Sequence, residues 1–152
     1  MNKPWEVIAE LESNNSRLFK EDVIARESRA GNTELFRGFR AAYDAMITFG
    51  VKQVPKHGGP DGQGLPWAAF TQLATSLYCR ELTGHDARDA IELCLKTAKQ
   101  DEWNGWYKRI LTKDFKAGFG ESTINNCAKK LKNKEFMNLT FHHKGCQQHH
   151  KQ

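Results

Sequence analysis

The sequence predicts an all-α protein: a single compact domain of about seven helices, with a Gly/Pro-rich loop at residues 55–66. Three observations carry this prediction. Apolar residues recur three and four positions apart through most of the chain. Almost no stretch alternates apolar and polar residues as a half-buried strand would. Cap-forming and helix-stopping residues separate the apolar stripes. At 152 residues the chain is long enough to bury a substantial core.

Three helices are predicted before residue 50. Pro4 begins the first helix, because proline is tolerated in a first helical turn. Asn15 or Ser16 caps the second helix, and Gly31 ends it. The third helix is predicted to extend to about Gly50. The apolar faces of these helices consist of Trp5, Ile8 and Leu11, then Leu18, Phe19, Val23 and Ile24, then Leu35, Phe36, Phe39, Tyr43, Met46 and Ile47.

Four further helices are predicted after the loop. The fourth helix starts at Pro66 and ends at Gly84, and the fifth covers residues 85–99. Asp101 caps the sixth helix, and the seventh follows Gly120. The apolar faces consist of Trp67, Phe70, Leu73, Ala74, Leu77 and Tyr78, then Ala87, Ile91, Leu93, Cys94 and Leu95, then Trp103, Trp106, Tyr107, Ile110 and Leu111, then Ile124, Cys127, Ala128 and Leu131. We expect residues 1–134 to form the helical domain and residues 135–152 a poorly structured, His-rich tail.

The charge distribution favours an anionic partner for the last third of the predicted domain. Residues 1–95 carry 11 Lys/Arg and 13 Asp/Glu, whereas residues 96–134 carry 10 Lys/Arg and 4 Asp/Glu. Such an excess suits a nucleic-acid backbone, although a solvated basic face is the alternative. No apolar run approaches the roughly 20 residues of a membrane span. The N-terminus lacks the apolar centre of a signal peptide, so a cytoplasmic location, in a cell or a phage-infected cell, is expected.

The cysteines and the tail are interpreted without a structural metal. Cys79, Cys94 and Cys127 lie among apolar neighbours in helical patterns, which predicts free buried thiols. Zinc ligation by the tail is an alternative, but no second Cys completes a finger pattern there. The tail residues concerned are His142, His143, Cys146, His149 and His150.

Residues 113–123, KDFKAGFGEST, form the main candidate site. Its two glycines permit positive φ and a close backbone approach. Its hydroxyl residues stand in the first turn of the next helix, where free N–H groups can hold an oxyanion, and two lysines flank the same point. These features suit a phosphate of a nucleic-acid backbone. A helix–helix turn that uses Gly for geometry and Lys for solubility is the alternative. The candidate contact residues are Lys113, Lys116, Gly118, Gly120, Ser122 and Thr123.

Two other features have a structural and a functional interpretation. Lys52, Lys56 and His57 could bring charge from the Gly/Pro-rich loop to a second phosphate strand, but a flexible crossover between helices is preferred. Trp106 and Tyr107 precede two basic residues and could stack on bases, but core packing is preferred for them as well.

The chain from about Trp5 to Lys130 resembles the N-terminal, all-helical DNA-binding domain of ATP-dependent DNA ligases of the T-even bacteriophage type. The resemblance lies in the segments VIAELES, SRLFKEDVIAR, LFRGFRAAYDAMITFGVKQVPK, RELTGHDARDAIE and WYKRILTKDFKAGFGESTINNCAKK. In that family an Asp, a basic or polar residue and a Gly precede a capped helix, as Asp114, Lys116 and Gly118 do here.

The resemblance implies non-sequence-specific binding of double-stranded DNA through the minor-groove side, bridging a nick. The phosphate contacts that it implies fall best on Lys116, Gly118, Gly120, Ser122 and Thr123, and less directly on Lys52 and Lys56. In the family, a separate nucleotidyltransferase domain carries the lysine that takes AMP from ATP, and an OB-fold domain completes the clamp around DNA.

The chain itself is expected to lack ligase catalysis. The Lys-x-Asp-Gly motif of the family is missing: Asp61 and Gly62 resemble its end, but Gly59 stands where the lysine should be. No cofactor is therefore expected here, and ATP and Mg would belong to a catalytic domain that acts in cis or in trans during nick sealing in DNA replication and repair. Two alternatives remain open: a helical protein–protein adaptor and a small zinc-binding protein that uses the tail.

Overall fold

Six helices form the described part of the chain, in the predicted order. The computed structural model describes residues 2–120 together with Thr123 and Ile124. Helices α1 to α5 span Pro4–Glu12, Arg17–Arg29, Thr33–Tyr43, Trp67–Tyr78 and Gly84–Thr97, and α6 consists of Gln100–Glu102, the π-helical turn Trp103–Tyr107 and Lys108–Thr112. The described residues contain no strand, which confirms the all-α prediction. Apart from Thr123 and Ile124, which are helical, the predicted seventh helix and the tail lie outside the described residues.

Helix α6 supplies the largest aromatic side chains of the core. Trp106 and Tyr107 are at most 1% exposed. Tyr107 stacks on Phe70 of α4 with 4.4 Å between ring centroids, and Trp106 stacks on Phe115 at 5.3 Å. Trp106 also meets Phe39 of α3 edge to face at 6.4 Å. These contacts join α3, α4 and the segment after α6 around one helix, and they confirm core packing for Trp106 and Tyr107.

Close approach of α3 and α6 depends on Gly38. A Cβ atom at this position would lie 2.2 Å from Cη2 of Trp106 and 3.1 Å from Cδ1 of Ile110. No side chain fits in that space, because interiors are packed to the density of organic crystals. The indole of Trp106 therefore lies directly against the α3 backbone.

Helix α3 ends at Tyr43, so the prediction of helix up to Gly50 is wrong. Asp44 has extended backbone angles (φ −76°, ψ 114°), and its carboxylate accepts the N–H of Met46 at 2.9 Å. Such an Asx turn offers the backbone an alternative to the helix. Ile47 is still buried, but from an irregular segment, whereas the Met46 side chain is 75% exposed.

Two leucines assigned to apolar faces are exposed instead. Leu18 is 73% exposed and Leu93 is 68% exposed. Each lies two positions from a buried residue, Lys20 on α2 and Ile91 on α5, and two positions correspond to about 200° around a helix.

None of the described helices is both long enough and apolar enough to cross a bilayer.

The cysteines differ from one another. Cys79 is disulfide-bonded, so the expectation of a free thiol there is wrong. Its partner lies outside the described residues. Cys94 is free and half-buried, as expected, and burial raises the pKa of its thiol.

The Gly/Pro-rich loop belongs to a longer irregular segment, residues 44–66, that is bonded to the junction of α5 and α6. The N–H of Gly62 donates to Ala98 O at 3.0 Å, and the N–H of Leu65 donates to the Glu102 carboxylate at 2.6 Å. A Cβ atom on Gly62 would lie 2.2 Å from the carbonyl oxygen of Thr97. The loop is thus a crossover between helices, as preferred. It was predicted to be flexible, but hydrogen bonds hold it against the junction of α5 and α6.

Candidate nucleic-acid interface

The chain leaves α6 through a tightly wound segment, residues 113–120, which we call the hairpin loop. Three of its residues have left-handed backbone angles: Lys113 (φ 60°), Lys116 (φ 54°) and Gly118 (φ 76°). Non-glycine residues adopt this region only in a few per cent of cases. The N–H of Lys116 donates to the Asp114 carboxylate at 2.9 Å, which closes the turn at its centre.

Alternate residues of the hairpin loop face in opposite directions. The carbonyl oxygens of three residues accept hydrogen bonds from the protein interior, and the residues between them face solvent. The inward carbonyls belong to Phe115, Ala117 and Phe119, and their donors are Arg109 Nη1 at 2.7 Å, Lys20 Nζ at 2.7 Å and the Tyr43 hydroxyl at 3.2 Å, respectively. Lys116, Gly118 and Gly120 are exposed. The N–H groups of both glycines have no acceptor within residues 2–120 and 123–124.

Lys20 fixes the hairpin loop to the first two helices. Its side chain is only 4% exposed, and besides Ala117 O it donates to Leu11 O at 2.6 Å. A Cβ atom on Gly118 would lie 3.3 Å from the Lys20 ammonium nitrogen. The sequence interpretation missed this lysine, although it precedes the buried Val23 and Ile24 by helical spacing and therefore shares their face.

Lys113 stabilises the end of α3, and its ammonium is not presented beside Lys116. Its Nζ donates to Ala41 O at 2.8 Å, Asp44 O at 3.0 Å and Ile47 O at 2.5 Å. Ala41 O and Ile47 O accept no other hydrogen bond among the described residues, whereas Asp44 O also accepts the N–H of Ile47 at 3.0 Å. We therefore leave Lys113, a predicted phosphate contact, out of the contact set that we propose below.

Three lysines from separate parts of the chain, Lys56, Lys108 and Lys116, are here called the basic cluster, because the charges of Lys56 and Lys116 both act on the Lys108 ammonium. Burial lowers the pKa of Lys108 below 10.5, and repulsion from Lys116, Lys56 and Arg109 lowers this pKa further. Lys56 and Lys116 are exposed and Lys108 is half-buried. Arg109 differs from the three lysines, because its guanidinium forms an ion pair with Glu12. Sequence reasoning noted Lys108 only as a basic residue after the core residues Trp106 and Tyr107 and did not predict it as a phosphate contact.

Two other predicted residues have different surroundings. Lys52 lines a cleft of about 870 Å³ between residues 50–55 and α5, together with Arg88. His57 is only 3% exposed, and its Nε2 donates to Ala98 O at 2.9 Å. The buried ring of His57 therefore does not support the less favoured interpretation, in which His57 joins a phosphate-binding surface of the loop.

The residues after the hairpin loop are described only in part. Thr123 is half-buried, and the N–H of Ile124 donates to Gly120 O at 3.4 Å, as in a first helical turn. Ser122 lies outside the described residues. Among the residues that the structure describes, no three His, Cys, Asp or Glu side chains gather as metal ligands. The His-rich tail, and with it the zinc alternative, lies outside them.

Comparison with known proteins supports a relationship to ligases. The chain matches no protein-family model and no curated protein. Its fold is similar to two solved ligase structures named Pmar-Lig_Pre. and Pmar-Lig_PreS3, each with a TM-score of 0.85 and 44% sequence identity. The similarity covers 88% and 87% of this chain but 31% of each ligase chain. The fold described above is therefore that of a ligase-related domain.

Proposed function

We propose that this chain binds double-stranded DNA without sequence preference, as the DNA-binding module of an ATP-dependent DNA ligase. The observation that carries the proposal is the hairpin loop, whose inward carbonyls are all bonded while Lys116, Gly118 and Gly120 face solvent. Exposed backbone N–H groups beside an ammonium suit a phosphate oxygen, and they read no base.

The basic cluster extends this contact surface. Lys56 and Lys108 bring two further positive charges to Lys116, and neither has an acidic partner among the described residues. Uncompensated like charges raise the local potential and attract a polyanion. In the proposed complex, Ser122 and Thr123 add hydroxyl donors after the hairpin loop. Lys52 precedes Lys56 in the same irregular segment and lies at the edge of the contact surface.

The similarity to solved ligase structures agrees with the resemblance of the sequence to DNA ligases, and both favour DNA over other polyanions. In this proposal the chain supplies affinity and nick-bridging geometry. ATP, Mg and covalent catalysis belong to a nucleotidyltransferase domain in cis or in trans.

The test is binding of a fluorescently labelled nicked duplex, measured by anisotropy over a range of salt concentrations. We expect log K to fall with log [salt] with a slope of about −0.9 for each phosphate neutralised, so that three to five contacts give about −3 to −5. Nicked and intact duplexes of several sequences separate nick preference from general affinity.

A charge-matched pair of variants tests the position of the site. Lys116→Glu is expected to weaken binding at least about tenfold, because it reverses a charge at the phosphate contact. Arg29→Glu makes the same change in net charge at the far end of α2, about 14 Å along the helix from Lys20. It should change affinity less than about twofold. Equal effects of the two variants, or no binding by the unmodified chain, would contradict the proposal.

A further inference from the structure

We infer that Asn104 is a positioning residue for DNA binding: it clamps the backbone of His57 and thereby holds Lys56 beside Lys108 and Lys116, so that the three ammonium groups act on one stretch of phosphate backbone. This inference rests on the proposed function. It adds a residue that does not itself touch the DNA but determines how many phosphates the surface engages.

The clamp consists of two opposed hydrogen bonds. The N–H of His57 donates to Asn104 Oδ1 at 2.8 Å, and Asn104 Nδ2 donates to the carbonyl oxygen of His57 at 3.0 Å. One side-chain amide thus satisfies both backbone groups of a residue that belongs to no helix. Because one bond needs the amide oxygen and the other needs the NH2 group, the orientation of the amide is determined as well.

The residues on either side of Lys56 are both bonded to the fold, Pro55 through its carbonyl oxygen and His57 through its buried ring. The Pro55 carbonyl accepts the indole N–H of Trp103 at 2.9 Å, and the His57 ring is buried with its Nε2 on Ala98 O. Lys56 lies between these two anchors and is exposed. The backbone therefore directs this lysine outward, and Asn104 holds the anchor that follows it.

Asn104 and Lys108 lie close together along α6. The π-helical turn Trp103–Tyr107 contains Asn104, and Lys108 follows this turn directly. The carbonyl of Asn104 accepts Arg109 Nε at 3.2 Å. Holding His57 against Asn104 keeps Lys56, the residue before it, at the part of α6 that carries Lys108, where the charge of Lys56 acts on the Lys108 ammonium. Since the ammonium groups repel one another, the fold has to hold them together until an anion binds.

The rest of the loop has its own attachments, so loss of the clamp should leave the fold intact. Leu65 is held through its N–H by Glu102 and through its carbonyl by the Tyr107 hydroxyl at 2.6 Å. Gly62 is bonded to Ala98. These bonds secure the second half of the loop independently of Asn104.

The experiment is a double-mutant cycle on nicked-duplex binding with Lys56→Gln, Asn104→Ala and the double variant. Each single variant should weaken binding about threefold to tenfold and reduce the salt slope by about 0.9, the value for one phosphate contact. If Asn104 acts through Lys56, the double variant should bind no more weakly than Lys56→Gln alone. A purely structural role of Asn104 would not change the salt slope in this coupled way.

Three outcomes are distinguishable. In the first outcome the unmodified chain binds DNA, but the losses of the two single variants multiply in the double variant, or Asn104→Ala binds as well as the unmodified chain. This outcome overturns the inference and leaves the proposed function standing. No binding by the unmodified chain overturns the proposed function itself. Circular dichroism verifies folding of each variant. Should Asn104→Ala not fold, Asn104→Ser, which keeps one polar group, replaces it in the same cycle with the same expected outcome.

Discussion

Individual lysines of this chain have roles that their charge does not reveal. Lys20 and Lys113 direct their ammonium groups at backbone carbonyls, and they stabilise the hairpin loop and the end of α3. Lys116 is exposed three residues after Lys113, and Lys108 is half-buried among like charges. A cation bonded to carbonyls contributes mainly to stability, whereas a cation without a partner contributes mainly to binding an anion.

We therefore predict opposite phenotypes for two neighbouring substitutions. Lys113→Met is expected to lower the free energy of unfolding by about 2–4 kcal/mol, because the carbonyls of Ala41 and Ile47 lose their donor and that of Asp44 loses one of two. Lys116→Met should change it by less than about 0.5 kcal/mol, as exposed substitutions usually do. Urea unfolding followed by circular dichroism measures both values, and the salt slope of DNA binding should respond mainly to Lys116→Met. Equal losses of stability would show that Lys113 is not the capping group described here.

The close contact between Gly38 and Trp106 gives a second prediction. Gly38→Ala is expected to destabilise the protein by at least about 2 kcal/mol, since overpacking outweighs the gain of about 1 kcal/mol in helix propensity. Gly58→Ala is the matched control, because a Cβ atom there meets nothing within 4 Å. Thermal unfolding of both variants is the measurement, and a stable Gly38→Ala protein would contradict this packing.

Among the structural elements, α6 connects the core to the candidate interface. Its Trp106 and Tyr107 face the aromatic core, while Asn104 and Lys108 of the same helix carry the clamp and the middle of the basic cluster. The π-helical turn within α6 includes Asn104, and such turns often occur at functional sites. The hairpin loop and the Gly/Pro-rich loop are both bonded to this helix.

The proximity of the three lysines can be tested by chemical labelling. The lowered pKa of Lys108 increases its neutral, nucleophilic fraction at pH 8–9, so it should react with a limiting acylating reagent faster than its partial burial suggests. Lys116→Gln removes a repelling charge, which should raise the pKa of Lys108 and slow its labelling. Mass spectrometry of peptides gives the rates, with Lys96 as the internal reference. An unchanged rate at Lys108 would mean that the two lysines are not close.

For the whole molecule, charge is divided between a part that stabilises the fold and a part that is available to a partner. Glu27 is only 1% exposed and accepts hydrogen bonds from Asn32 at 2.8 Å, Asn2 at 2.7 Å and Arg26 at 2.7 Å. Arg26 also bonds Glu10. This network joins the N-terminus, α1, α2 and the start of α3, whereas the basic cluster has no comparable set of partners among the described residues.

The network predicts how stability depends on pH. Burial alone would raise the pKa of Glu27, but the hydrogen bonds from Asn32, Asn2 and Arg26 outweigh burial and keep it below 4.5. The pKa of Glu10 is also lowered, mainly by its hydrogen bond with Arg26. Stabilisation by depressed carboxyl groups is complete above the unfolded-state pKa and is lost as the pH falls through the folded-state pKa. Stability should therefore change little between pH 7 and about 5 and fall below about pH 4.5.

Glu27→Gln supplies the control for this pH dependence. It should be less stable than the unmodified protein at pH 7, because the new NH2 group faces hydrogen-bond donors. It should also lose less stability on acidification. Urea unfolding at several pH values measures both, and identical pH profiles of the two proteins would exclude Glu27 as a source of the acid sensitivity.

Much of the architecture was predictable, because helical periodicity and capping are local. Ser16 accepts the N–H of Phe19 at the start of α2, as the capping prediction allows. The errors have long-range causes. Helix α3 stops at Tyr43. A longer helix would have paired the carbonyls at this end internally, but here they bond Lys113, which lies 69 residues after Asp44 in the chain. The buried ammonium of Lys20 likewise needs Ala117 O as an acceptor, and Ala117 lies 97 residues away in the chain, so the residues around Lys20 could not predict it.

By itself, the sequence determined the fold class, the order of the helices and the exposed glycine-containing hairpin loop, because each follows from side-chain periodicity or from the φ angles that a residue tolerates. Only the tertiary structure decided which lysines face solvent and which bond carbonyls, and that the charges of Lys56 and Lys116 act on Lys108. Those outcomes depend on contacts between residues far apart in the chain, where packing around α6 and the satisfaction of buried carbonyls outweigh local preference.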